Sequence, residues 1–134
     1  MDYKPFLAEA DSYFKVVNNS LTKTKKLGNK VLFSISTMII EKYLVAVLLA
    51  NGKVVSGHTV RSLVAMASGE FNNLPKEVAE LASVDNKLDL CSFDPVSSVE
   101  PNDEEMNSLH AKLIVLKNFV HNFISTVNSS IVNS

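Results

Sequence analysis

Two residues near the carboxyl end of the sequence could bind an anionic ligand together. Lys117 and His121 are four positions apart in a stretch with helical periodicity, so both side chains should lie on one face of a helix. The lysine supplies a positive charge, and the histidine can bind or exchange a proton near neutral pH. We therefore interpret Lys117 and His121 as candidate ligand-binding residues.

A second candidate pair lies near the middle of the chain. His58 and Arg61 are three positions apart at a predicted helix start, where backbone amides already favour an anion. A phosphate or a carboxylate could therefore bind between them. The alternative is structural: His58 would cap the helix or lie on the surface, and Arg61 would pack or form an ion pair.

Two adjacent charged residues, Glu41 and Lys42, interrupt the most apolar stretch of the sequence. A buried charge without a partner is costly, so each side chain needs a counter-ion or access to water. They could line a polar groove, with Glu41 opposite His58 or Lys117. Alternatively, both side chains reach solvent or form structural ion pairs.

Motifs of several enzyme classes are missing from the sequence. Cys91 is the only cysteine, so neither an intramolecular disulfide nor a cysteine zinc cluster can form. His110 and His121 are too far apart along a helix to bind one metal ion. The HExxH, EF-hand, Walker, GxGxxG and GxSxG patterns do not occur. We expect no metal, no cofactor and no catalytic residue.

The apolar stretch 29–50 is the segment that must position these residues. Its apolar side chains occupy nearly the whole circumference of a helix, so several neighbouring helices must cover it. Asn51 and Gly52 are typical of a helix end. Because Glu41 and Lys42 lie near its middle, we expect a core helix rather than a membrane span, in a cytoplasmic protein.

The periodicity of the remaining sequence predicts further helices and their ends. Ser56 or Gly57 would cap the third helix and Gly69 would close it, while Asn102 and Glu105 are spaced for a capping box. Leu90 and Phe93 should hold the irregular segment 85–101 against the other helices. The predicted helices are 5–27, 29–50, 58–68, 76–84 and 103 to about 127, and residues 128–134 should fray.

The composition indicates one all-α domain. The chain has 134 residues, of which 46% are hydrophobic, and it contains only four glycines and four prolines. Few turn-forming residues favour helices over sheets with many turns. We predict an up-and-down four-helix bundle with an additional short helix, with a core at about residues 5–127. The net charge of −1 gives no general attraction to nucleic acid.

The order of these features resembles a known helical family. The features are Ala8-Glu9-Ala10 and Tyr13-Phe14 on the first helix, Glu41-Lys42 on the second, Gly57-His58-Thr59-Val60 with Leu63, Leu74-Pro75-Lys76-Glu77, Leu81 to Leu88-Asp89, and an acidic cap on the final helix. The chain resembles the HEPN family and the helical substrate-binding half of aminoglycoside nucleotidyltransferases, over about residues 5–127.

This resemblance implies a helical bundle that commonly forms a homodimer. Some members of the family are metal-independent ribonucleases of toxin or defence systems, and they carry an arginine followed a few residues later by a histidine. Others bind nucleotides or a partner protein such as a minimal nucleotidyltransferase. We expect a homodimer here, with Phe14, Phe119 and Phe123 on the remaining apolar faces of the first and last helices.

The chain departs from the ribonuclease pattern. Arg61 is its only arginine, and the next histidine along the chain is His110. Lys117 and His121 imitate the motif with lysine, which lacks the planar fork that binds phosphate in two places. The Arg-Tyr-Pro segment of many members is replaced by residues 91–95, where an aromatic and a proline remain without the arginine.

We therefore predict a non-catalytic domain that binds a nucleotide-type or other anionic ligand, or that serves as the binding partner of a minimal nucleotidyltransferase. The alternatives are a ribonuclease that uses Lys117 and His121, and a protein-interaction bundle without a ligand. Neither nucleic acid nor a membrane is an expected partner.

Overall fold

The computed structural model describes residues 2–24, 27–55, 57, 59–84 and 100–133, and side chains as far as residue 128. Within these ranges all regular structure is helical, which confirms the predicted all-α class. The helices are α1 (Lys4–Thr22), α2 (Asn29–Ala50), α3 (Val60–Glu70), α4 (Lys76–Ala79) and α5 (Asp103–Asn133). A short 3-10 turn, Glu80–Ser83, follows α4.

Helix α2 forms the centre of the hydrophobic core. It begins and ends as predicted, and α1, α3 and α5 all pack against it. Leu32, Ile40 and Leu44 are completely buried. Each such side chain contributes roughly 1.5–3 kcal/mol relative to an exposed one, so α2 supplies much of the stability of the fold.

Helix α2 is also the one described helix that is long and apolar enough to cross a membrane. Of its most apolar window, 61% is buried inside the chain. Such burial is typical of the core helix of a soluble protein, since the same side chains already have protein neighbours.

Helix α1 runs antiparallel to both α2 and α5. Glu9, in the first half of α1, contacts Lys42 in the second half of α2. At its two ends α1 also bonds α5 in the reverse order, because the Tyr3 hydroxyl donates to the Asn128 amide oxygen at 3.3 Å and Asn18 contacts His110. One side of α1 therefore faces α5 along its length.

Two helix starts are fixed by side-chain caps. At α5 the predicted capping box is confirmed, because Asn102 Oδ1 accepts from the Glu105 amide at 2.7 Å and Glu105 Oε1 accepts from the Asn102 amide at 3.1 Å. The predicted start of α3 is wrong. Thr59 Oγ1 accepts from the Ser62 amide at 3.0 Å, so the helix begins at Val60, after Gly57 and the predicted start at 58.

Several other predicted boundaries also require correction. Helix α3 continues through Gly69, and α1 ends at Thr22, after which the backbone of Lys23 leaves helical geometry. The fourth segment tightens into a 3-10 turn after Ala79. Helix α5 runs on to Asn133, since no glycine or proline interrupts residues 128–133. Leu90 and Phe93 lie outside the described residues.

Candidate ligand-binding groove

A cleft of about 560 Å³, lined mostly by residues with polar or charged side chains, lies between α1 and α5. Its volume is within the range of sites that hold small molecules, about 300–1,000 Å³. Because the two helices are antiparallel, the first half of α5 faces the second half of α1. The groove is lined by Asp11, Ser12, Phe14, Lys15, Asn18 and Asn19 from α1 and by Lys117, Asn118 and His121 from α5.

A chain of hydrogen bonds connects the core to this groove. The hydroxyl of Tyr43 donates to Asp11 Oδ1 at 2.5 Å, and Nε2 of His121 donates to the same oxygen at 2.8 Å. The His121 ring also packs edge-on against the Tyr43 ring, with centroids 6.2 Å apart. These contacts fix the orientation of His121, and they leave its Nδ1 as the ring nitrogen that a ligand can use.

Tyr43 is a permanent donor to Asp11. It is completely buried, and burial, followed by the hydrogen bond to Asp11, raises the pKa of its hydroxyl far above the usual range. The hydroxyl therefore keeps its proton at every physiological pH. As a result Asp11, the carboxylate in the groove, already accepts two hydrogen bonds from the protein.

Lys117 lies one helical turn before His121 and is held by an aromatic ring. Its Nζ is 4.6 Å from the centroid of the Phe14 ring, a cation–π contact that positions the side chain at the groove. Among the residues that the structure describes, no carboxylate lies within ion-pair distance of Lys117 or Lys15. Neither lysine is therefore in a direct ion pair with a described acid, and two lysines against the one carboxylate of Asp11 leave the groove with a net positive charge.

His110 supports one end of the groove. Its Nε2 donates to Asn18 Oδ1 at 2.9 Å, and its ring stacks on Phe14 with centroids 6.1 Å apart. Partial burial lowers the pKa of His110 below its ordinary value, because desolvation disfavours the imidazolium form. His110 is therefore a neutral residue that joins α5 to α1 at neutral pH.

The structure brings together one of the predicted pairs. Lys117 and His121 share a face of α5, as predicted, and both line the groove. Arg61 is exposed near the start of α3 and does not line it, while His58 lies outside the described residues.

Neither Glu41 nor Lys42 lines this groove, and the contacts of Lys42 fit the alternative in which it forms a structural ion pair. Consecutive helical residues point about 100° apart, so when Tyr43 faces Asp11, Lys42 faces away. Lys42 instead forms an ion pair with Glu9, and its Nζ lies 5.9 Å from the centroid of the Phe6 ring. Glu41 is half-buried on α2 and does not line the groove.

The three phenylalanines that we assigned to a dimer interface all have contacts within the chain. Phe14 is only 7% exposed. Phe119 and Phe123 are half-buried, and both pack edge-on against Phe71, with centroids 5.4 and 5.0 Å apart. Their participation in an interface stays a prediction.

Several groove residues were not predicted from the sequence, above all Asp11 and Tyr43. One feature could have indicated them: a tyrosine within a buried helix needs a hydrogen-bond partner for its hydroxyl. The partner itself could not be identified, because Asp11 is separated from Tyr43 by 32 positions and lies on a different helix. Lys15, Asn18 and Asn118 have no distinguishing sequence context.

The described residues do not form a metal centre beside the groove. Among the described residues, no cluster of three or more histidine, cysteine, aspartate or glutamate side chains could hold a metal ion. No protein-family model, no curated protein and no solved structure matches the chain.

Proposed function

We propose that the groove between α1 and α5 binds a nucleotide-type or other phosphate-bearing anion, and that the protein is a non-catalytic binding domain. One observation carries this proposal. Lys15 and Lys117 lie at a cleft whose own carboxylate, Asp11, is already hydrogen-bonded by Tyr43 and His121. Because the two lysine charges outnumber the single carboxylate, the net positive charge of the cleft favours an anion over a cation or a neutral ligand.

Each groove residue has a specific task in this proposal. Lys117 and Lys15 provide the charge attraction, and Lys117 is already positioned by the Phe14 ring. His121 presents Nδ1 to a phosphate hydroxyl, or an N–H when protonated. The side-chain amides of Asn18 and Asn118 can donate to phosphate oxygens or accept from sugar hydroxyls.

The resemblance to the HEPN family supports this function from a different direction. In that interpretation α1, α2, α3 and α5 form an up-and-down bundle in a cytoplasmic protein, and the missing arginine accounts for a binding rather than a cleaving role. A separate minimal nucleotidyltransferase that uses the bound nucleotide belongs to the same proposal, and co-purification would test it.

Calorimetric titration of ATP, GTP, nucleoside monophosphates and inorganic phosphate into the full chain tests the proposed site. Lys117→Gln keeps part of the aliphatic stem and removes the charge, so we expect at least a tenfold loss of affinity, equivalent to about 1.4 kcal/mol. Lys112→Gln is the matched control, because Lys112 lies on the same helix but lines a different cavity. Equal effects of the two substitutions, or no heat with any ligand, would count against the proposal.

A second candidate function is metal-independent cleavage of RNA. The observation that favours it is the pairing of His121 with Asp11 beside the positive charge of Lys117. An oriented histidine can transfer protons, and a nearby cation can stabilise a developing phosphorane charge. Incubation of purified protein and of a His121→Ala variant with total RNA separates the two functions, since only the ribonuclease loses an activity.

A further inference from the structure

One nitrogen of the His121 ring has no hydrogen-bond partner in the part of the chain that the structure describes. Nε2 lies 2.8 Å from Asp11 Oδ1, and because a carboxylate can only accept, the proton of a neutral ring must be on Nε2. Nδ1 then carries a lone pair. The side chain is 40% exposed and lines the groove between α1 and α5, so a ligand can reach it.

We propose that this groove selects phosphate monoesters over phosphate diesters, and that His121 makes the distinction. The inference rests on the proposed anion-binding function and adds the chemical class of the ligand. A lone pair on Nδ1 and a phosphate oxygen are both acceptors, so one proton must lie between them. Because a monoester has an ionisation near about pH 6, either the phosphate or the imidazole can supply that proton. With a diester, the imidazole alone must supply it.

The charges of the groove also match a monoester. When the ring is protonated, Lys15, Lys117 and His121 bring three positive charges against the single negative charge of Asp11. A phosphate monoester has a charge of about −1.5 to −2 at neutral pH and three terminal oxygens, so it can pair with all three side chains. A diester has one charge and two unbridged oxygens, which leaves one of these side chains without a charged oxygen.

The other groups around His121 do not distinguish the two classes. Lys15 and Lys117 are point charges that attract any phosphate. The Tyr43 hydroxyl is completely buried and already donates to Asp11, so it does not reach a ligand. The selectivity therefore depends on His121, whereas the lysines determine the overall affinity.

Calorimetric titration of the full chain with two matched ligands at about pH 6.5 tests the proposal. The ligands are AMP and its methyl ester, a diester with the same base and sugar. We expect AMP to bind at least about tenfold more tightly, because only AMP offers a second charge and an ionisable oxygen to the ring.

Two substitutions separate selectivity from overall affinity. His121→Gln retains an amide N–H that can donate to Asp11 and removes Nδ1, so the preference for AMP should shrink several-fold. Lys117→Gln should weaken both ligands and leave the preference unchanged. Lys112→Gln is the matched control and should change neither quantity, since Lys112 lines a different cavity. Circular dichroism shows that each variant is folded.

The pH dependence gives a second readout that a merely structural role of His121 would not produce. The complex holds one proton that the separate partners lack at high pH. The affinity of the wild-type chain for AMP should therefore rise as the pH falls from about 8 to about 6.5. In His121→Gln it should not rise. His110 is present in both proteins, so its titration affects them equally.

The outcomes separate this inference from the function on which it rests. Equal affinities for AMP and its methyl ester, tighter binding of the methyl ester, or a full preference that persists in His121→Gln would overturn the selectivity and leave the anion site intact. The absence of heat with either ligand would overturn the groove function itself, and the selectivity with it.

Discussion

Helix α2 and the α1–α5 groove use different interactions although they share Tyr43. On α2, Leu32, Ile40 and Leu44 are completely buried, and the contacts that hold them are apolar. In the groove, Asp11 and His121 are 38% and 40% exposed and are joined by hydrogen bonds. The comparison shows that the residues which stabilise the fold are separate from those that remain available to a ligand.

This separation has a physical cause. Apolar burial contributes in proportion to the area removed from water, so complete burial gives the largest effect. A hydrogen bond that remains near water contributes little net stability, but its donors and acceptors can exchange partners with a ligand. Substitutions in α2 should therefore change stability, and substitutions in the groove should change binding.

The largest expected effect is that of a truncation in the core. Leu44→Ala removes a completely buried side chain from α2 and should lower the free energy of unfolding by about 3 kcal/mol, measured by urea denaturation. Under conditions where the variant is folded, its affinity for a phosphate ligand should be unchanged. A loss of less than about 1 kcal/mol would contradict the central position of α2.

A smaller effect is expected where the two regions meet. Tyr43→Phe keeps the buried ring and removes the donor to Asp11, so the free energy of unfolding should fall by about 1 kcal/mol. Ligand affinity should fall as well, because Asp11 then holds His121 less firmly. Tyr13→Phe, which removes a hydroxyl from a half-buried residue of α1, serves as the control and should change neither quantity.

The smallest effect is a pH dependence that originates from His110. Burial lowers the pKa of His110 below its ordinary value of 6.5, so the unfolded chain binds a proton at a pH where the folded chain does not. Stability should therefore decrease as the pH falls below about 6.5. His110→Gln retains a donor for Asn18 without titrating, so its decrease should be smaller. Urea unfolding at about pH 7.5 and about pH 5.5 measures the difference; identical slopes for both proteins would contradict this assignment.

Local sequence patterns predicted the parts of the structure that depend on neighbouring residues. The bounds of α2, the Asn102–Glu105 capping box and the shared face of Lys117 and His121 follow from helical periodicity and capping chemistry. The start of α3 was misplaced because Ser56 and Gly57 were taken as the candidate caps, although Thr59 is also a residue type that caps helices. Only the structure shows that Thr59 does so.

The partners of the groove residues could not be predicted in the same way. Which residue of α1 faces His121 depends on how the two helices are rotated and shifted, and the periodicity of either helix does not determine this. The same uncertainty left two interpretations open for Lys42, and only the structure shows that it pairs with Glu9 while its neighbour Tyr43 bonds Asp11. The contacts that could not be predicted are therefore mainly those between residues of different helices, far apart in the sequence.

The most direct test of the binding function is a titration of isotope-labelled protein with ATP, followed by amide chemical shifts. The proposed function predicts that the largest shift changes lie in residues 11–19 and 117–121, on the two sides of the groove, and that they saturate together. Changes confined to other helices, or spectra unaffected at millimolar ATP, would contradict a phosphate site between α1 and α5.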